Sequence, residues 1–180
     1  IASIGLIGFA YAMGNIKRQL IGAASEAEET ANKFNVTFGG IRDEAQKTAQ
    51  VLADSYGLAD DEAQDLLSNT GDLLTGFGFT QKAALDLSKS VNELAVDLVS
   101  FTNLEGGAAR ASQVLTKALL GERESAKLLG IVISEENVKA KVKALELSGQ
   151  LTNQSGLEKK AIATLAIAYE QSKNAIGDFA

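Results

Sequence analysis

The chain has 180 residues, 46% of them hydrophobic and 22% charged, which is enough apolar side chain for a buried core and the size of one domain or one large module. It contains no histidine, cysteine or proline, which excludes imidazole chemistry, thiolate nucleophiles, disulfides, triads and zinc sites, and leaves helices to be interrupted by its 17 glycines. A net charge of −6 and a pI near 4.8 make the surface repel phosphate backbones, so no specific nucleic-acid binding is expected.

Ile1 to Ile16 carry no charge and are closed by Lys17 and Arg18. The run is shorter than the roughly 20 residues that span a bilayer. Its pairs Gly5 with Phe9 and Gly8 with Ala12 make a weak helix-dimer motif. Residues 1–21 read as an apolar helix, either buried or oligomer-facing, or as the edge of a membrane-active segment that brings 1–16 into contact with a membrane. The basic pair follows the apolar run, the reverse of a signal peptide. Beginning on Ile1 without a methionine, the chain reads as a piece of a longer polypeptide.

Residues 22–180 read as one helical module. Glu26, Glu28 and Glu29 open a helix that continues to about Asn35, and Gly39-Gly40 stop it. The next helix, Ile41 to Tyr56, aligns Ile41, Ala45, Thr48, Leu52 and Tyr56 and ends on Gly57, a residue suited to a left-handed cap. A third, Asp60 to Leu74, turns Ala63, Leu66, Leu67 and Leu74 inward. The acidic residues at its start, Asp60, Asp61, Glu62 and Asp65, lack calcium-loop spacing and match the preference of a helix dipole for negative charge. Gly57 to Leu74 recurs weakly from Gly78 onward, a shared turn-then-helix solution and not a solenoid. Between the two, Gly76-Phe77-Gly78-Phe79 lacks the strand of a phosphate loop and is expected to tuck both phenylalanines into the core.

The helix about which the others are arranged is Thr80 to Phe101. Ala84, Leu87, Val91, Leu94, Leu98 and Phe101 fall three and four apart on one stripe, which needs a cover to gain roughly 25 cal/mol per Å². Leu87, Val91, Leu94, Leu98 and Phe101 are therefore the expected helix-packing and interaction residues, and Thr80 the N-cap. A helix Ala108 to Leu120 follows, with Ala111, Leu115, Ala118 and Leu119 inward, then a short turn of helix from Glu122 to Leu129. Ile131-Val132-Ile133 reads as an extended connector or one bridge of sheet. Ser134 caps a helix Asn137 to Leu147, whose Lys139, Lys141 and Lys143 spread around its circumference as a solvated face. Ser155 and Glu158 form a capping box for the last helix, with Ala161, Ile162, Leu165, Ala168, Tyr169 and Ile176 on its apolar face.

The fold class is thus all-α, a multi-helix bundle of glycine-bounded amphipathic helices with one short extended segment near 131–133. The stripes could close within the chain or as a coiled coil between chains. Serine-hydrolase, P-loop and HExxH motifs are missing from the sequence, and 23 acidic residues make candidate carboxylate pairs uninformative. The chain is read as a non-enzyme, with no cofactor.

Several blocks carry a resemblance. Ala24-Ser25 through Phe38-Gly39, AVDLVSFTN from Ala95, LLGERE from Leu119, LLGIVIS from Leu128 and AYEQSKNAIGDFA from Ala168 together resemble the tail tape measure proteins of long-tailed bacteriophages and prophages. The likeness spans Gly22 to Ala180 with block order kept, although Ala59 stands where a serine cap is common and Ala126 where a bulkier apolar residue is. The resemblance implies a virion structural protein, assembled in the host cytoplasm and held in the tail lumen, that sets tail length and leaves with the DNA at ejection. Its implied partners are tail-tube and tail-tip proteins, tail assembly chaperones and further copies of itself in a homo-oligomer. Glycine stops every 15 to 25 residues or so suggest a folded module and not the rod-like measuring stretch. A helical protein-interaction or adaptor module without catalytic activity is the alternative.

Overall fold

The computed structural model describes residue 25, residues 28–102 and residues 104–177. The apolar run Ile1 to Ile16 lies outside the described residues, as does the side chain of Ile176. Helix α1 covers 28–38 and a 3₁₀ turn, Gly39–Ile41, leads into α2 (Arg42–Tyr56). Then come α3 (Asp60–Gly76), α4 (Gln81–Phe101) and α5 (Gly107–Leu119). A second 3₁₀ stretch, Arg123–Leu129, precedes α6 (Glu135–Leu147) and α7 (Gly156–Gly177). No strand occurs among the described residues, and the architecture is an all-α multi-helix bundle.

Helix ends follow local chemistry. Gly57 takes φ +66°, and its N–H and that of Leu58 both donate to the Ala53 carbonyl, closing α2 in a conformation that costs glycine no Cβ clash. Gly57 and Gly78 each lead through two residues into a helix. The N-cap residues Ala59 (φ −69°, ψ 151°) and Thr80 (φ −65°, ψ 155°) share one conformation, which accounts for the weak sequence recurrence. Thr80 Oγ1 accepts from the Ala83 N–H at 3.2 Å, a cap that Ala59 cannot make. Ser134 caps α6 through the Asn137 N–H at 3.1 Å, as expected, and the helix begins at Glu135, two residues before the start expected from sequence. At α7 the capping box is complete: Ser155 N–H donates to Glu158 Oε2 at 2.8 Å and Glu158 N–H to Ser155 Oγ at 3.2 Å.

The buried side chains form two clusters. Phe34 and Phe38 of α1, edge to face with centroids 5.4 Å apart, pack with Leu52 of α2, Leu67 of α3 and Leu85 of α4. The larger cluster joins α4 to α5, α7 and the chain around Ile131 and Val138. Helices α3 and α4 contribute to both and form the wall between them. On α2 the buried positions are Ala45, Ala49, Leu52 and Ala53, so the inward face is rotated from the expected line through Thr48 and Tyr56.

The segment Ile131-Val132-Ile133 is extended, with both isoleucines buried and Val132 exposed. It pairs with a side chain and not with a strand. Val132 N–H donates to Gln171 Oε1 at 2.8 Å, and Gln171 Nε2 donates to the Val132 carbonyl at 2.7 Å. The amide of Gln171 thereby fixes the connector to α7 as a neighbouring strand would.

Candidate interaction surface

Four of the five residues expected to carry α4 packing, Leu87, Val91, Leu94 and Leu98, are buried in the larger cluster. Burial of each contributes about 1.5–3 kcal/mol. The fifth, Phe101, departs from the expected packing: it is 63% exposed, because it is the last residue of the helix and the chain leaves it at Thr102 with no other described residue burying the ring. Phe77 is likewise exposed while Phe79 is buried, and Tyr169 is exposed on α7. Burial on α4 also takes in Leu85, Ser88, Asn92 and Ala95, since α2, α3, α5 and α7 all pack against it.

A polar node lies inside this packing. Ser112 Oγ of α5 donates to Asn92 Oδ1 of α4 at 2.5 Å and lies 2.9 Å from Thr70 Oγ1 of α3, with Asn92 Nδ2 3.4 Å from the same hydroxyl. All three residues are buried, so the triangle fixes the relative register of three helices in a site where an unpaired amide is costly. Sequence periodicity missed the node, because it assigns asparagine and serine to a solvent face. A cleft of about 510 Å³ opens beside it between α3 and α5, edged by Lys33 and Arg110.

The strip of α4 that no helix among the described residues covers runs through Lys82, Asp86, Ser90, Glu93 and Asp97, and it borders a groove against α7. One section, about 430 Å³, has Leu87, Ile162 and Leu165 on its floor. The next, about 400 Å³, shares Ser90, Ile162 and Leu165 and continues to Tyr56, Glu93, Asp97, Ala166 and Tyr169. Helices α4 and α7 run in the same chain direction along it, because Gln154 and Glu158 line the Thr80 end and Tyr169 the Asp97 end.

The electrostatics of that second section are unbalanced. Burial raises the Asp97 carboxyl above its ordinary value, and the Glu93 carboxylate one turn away raises it further. The Tyr56 phenol is also raised, by burial first and then by Asp97, Glu93 and Tyr169. Lys89 pairs with Glu93 at 2.6 Å, and Lys173 stands 4.7 Å over the Tyr169 ring. Asp97 has no ion-pair partner among the described residues.

The acidic residues at the start of α3 are arranged by the helix: Asp60, Asp61 and Glu62 occupy its first turn, and Asp65 accepts from Asn69 Nδ2 at 2.7 Å. Among the described residues no three carboxylates gather as a metal site would require, and no helix is long and apolar enough to cross a membrane. Among the described residues the geometry offers a helical scaffold with a long amphipathic groove. Compared with family models, curated proteins and solved structures, the chain finds no match.

Proposed function

We propose that the chain is a folded, non-catalytic helical module of a phage tail tape measure protein, acting in tail assembly and length determination and in DNA ejection from the virion. The observation that carries this reading is the kept order of the blocks DLVSF, GE, LGIVIS and GDFA along the sequence. The length of the rods supports a module and not a ruler: α7, the longest among the described residues, has 22 residues, about 33 Å at 1.5 Å per residue, and the chain folds back between helices. Its partners in this reading are tail-tube and tail-tip proteins, tail assembly chaperones and other copies of the chain. Mass spectrometry of purified phage particles tests it, with peptides from 42–177 expected in the tail fraction. Particles with intact tails and none of these peptides would remove the assignment.

The groove along α4 and α7 favours a second reading, a helical adaptor module that binds other proteins outside any virion. Copurification separates the two. Retention of tail-tube subunits or tail chaperones supports the tape measure reading, and their absence alongside other stable partners supports the adaptor.

A further inference from the structure

The groove and α6 complement each other. From Thr80 to Asp97 the groove follows α4 for about 26 Å, and the 13 residues of α6 span about 20 Å. Helix α6 holds the molecule by a narrow inner face on which Val138 alone is buried and Lys141 pairs with Glu170. Its outer face carries Lys139 and Lys143 one turn apart, both exposed and without an ion-pair partner among the described residues. One turn further is Leu147, 80% exposed. Glu93 and Asp97 have the same one-turn spacing on α4.

We propose that the α4–α7 groove receives α6 of a second copy of the chain, laid antiparallel to α4, with Lys139 against Asp97, Lys143 against Glu93 and Leu147 on the apolar floor. In this register Leu147 falls one turn beyond Glu93, where Leu87, Ile162 and Leu165 form the floor. At the other end Glu136 reaches toward the side of Lys173, so the acidic end of α6 meets the cation that follows Tyr169. Matched charge spacing fixes the register, while the buried leucine and the tyrosine walls supply the apolar contact. The inference rests on the two surfaces and is independent of the phage assignment.

Sedimentation equilibrium of the 180-residue chain tests it. The expected result is reversible self-association that weakens between about 0.02 M and about 0.5 M salt. Asp97→Lys and Lys139→Glu each weaken association by about fivefold to tenfold, and an equimolar mixture of the two restores it. Leu147→Asp, at a side chain already in solvent, weakens it by a similar factor with an unchanged circular dichroism spectrum. A chain that stays monomeric at all concentrations overturns the proposal, as does association indifferent to these substitutions or a mixture of charge-reversed variants that fails to recover.

Discussion

The ring of Phe38 lies on the bare backbone of Gly71. A Cβ built at Gly71 would stand 2.9 Å from Phe38 Cε1, closer still to Cζ, and 3.0 Å from Thr37 Cγ2. The contact explains a glycine in the middle of α3, where glycine costs about 1 kcal/mol relative to alanine. Gly71→Ala therefore runs against the helix-propensity trend. It is expected to destabilise the fold by about 1–3 kcal/mol in urea unfolding, because Phe38 is fully buried and has no room to move. A stabilised variant would show that the ring is free to withdraw.

Asn92 anchors the three-helix node. Asn92→Ala leaves the Ser112 and Thr70 hydroxyls without their amide and opens a small cavity, for an expected loss of about 2–3 kcal/mol in chemical denaturation. Ser100→Ala, on the exposed side of the same helix, is the control and is expected to change stability by no more than about 0.5 kcal/mol.

Thr164 on α7 is the opposite case. Its side chain is buried and its hydroxyl has no hydrogen-bond partner among the described residues. Thr164→Val keeps the shape and removes the orphaned hydroxyl, so it is expected to leave stability unchanged or raise it by about 1 kcal/mol. Thermal unfolding of the variant beside the parent reads the sign directly, and a clear loss would mean that the hydroxyl is paired in solution.

Asp97 should give a pH-dependent signature. Its folded pKa lies above the ordinary 3.8, so between those values the folded state binds more protons than the unfolded one, and stability falls as pH rises through the window. Asp97→Asn removes this penalty. The variant is expected to melt above the parent near pH 7, with the gap closing as pH approaches 3.8. Glu135 has the reverse sign: the Arg123 guanidinium holds its carboxyl below 4.5, so its contribution is present above that value and is lost as pH falls through the lowered pKa. A constant offset between Asp97→Asn and parent across this range would rule out a titration effect.

Much of the fold was legible in the sequence, because it is written in local signals. Apolar residues at three and four spacing marked α4, Thr80 and Ser134 announced caps, Ser155 with Glu158 announced a capping box, and Gly57 announced a stop. The parts that depend on which helix covers which face were not legible. Phe101, Phe77 and Tyr169 have the chemistry of core residues and are exposed because no element among the described residues closes over them. Asn92 and Ser112 have the chemistry of surface residues and are buried because three helices bring their partners together. The groove was invisible for the same reason: Tyr56, Asp97 and Tyr169 come from three helices far apart in the chain.

Helix α4 is the element against which the other helices are held, and native-state hydrogen exchange is the decisive test of that role. Amides from Ala84 to Leu98 should exchange only through global unfolding, while those of α6, where Val138 is the sole buried side chain, should open earlier and at lower free energy. Exchange in α4 as fast as in α6 would contradict a bundle organised around that helix.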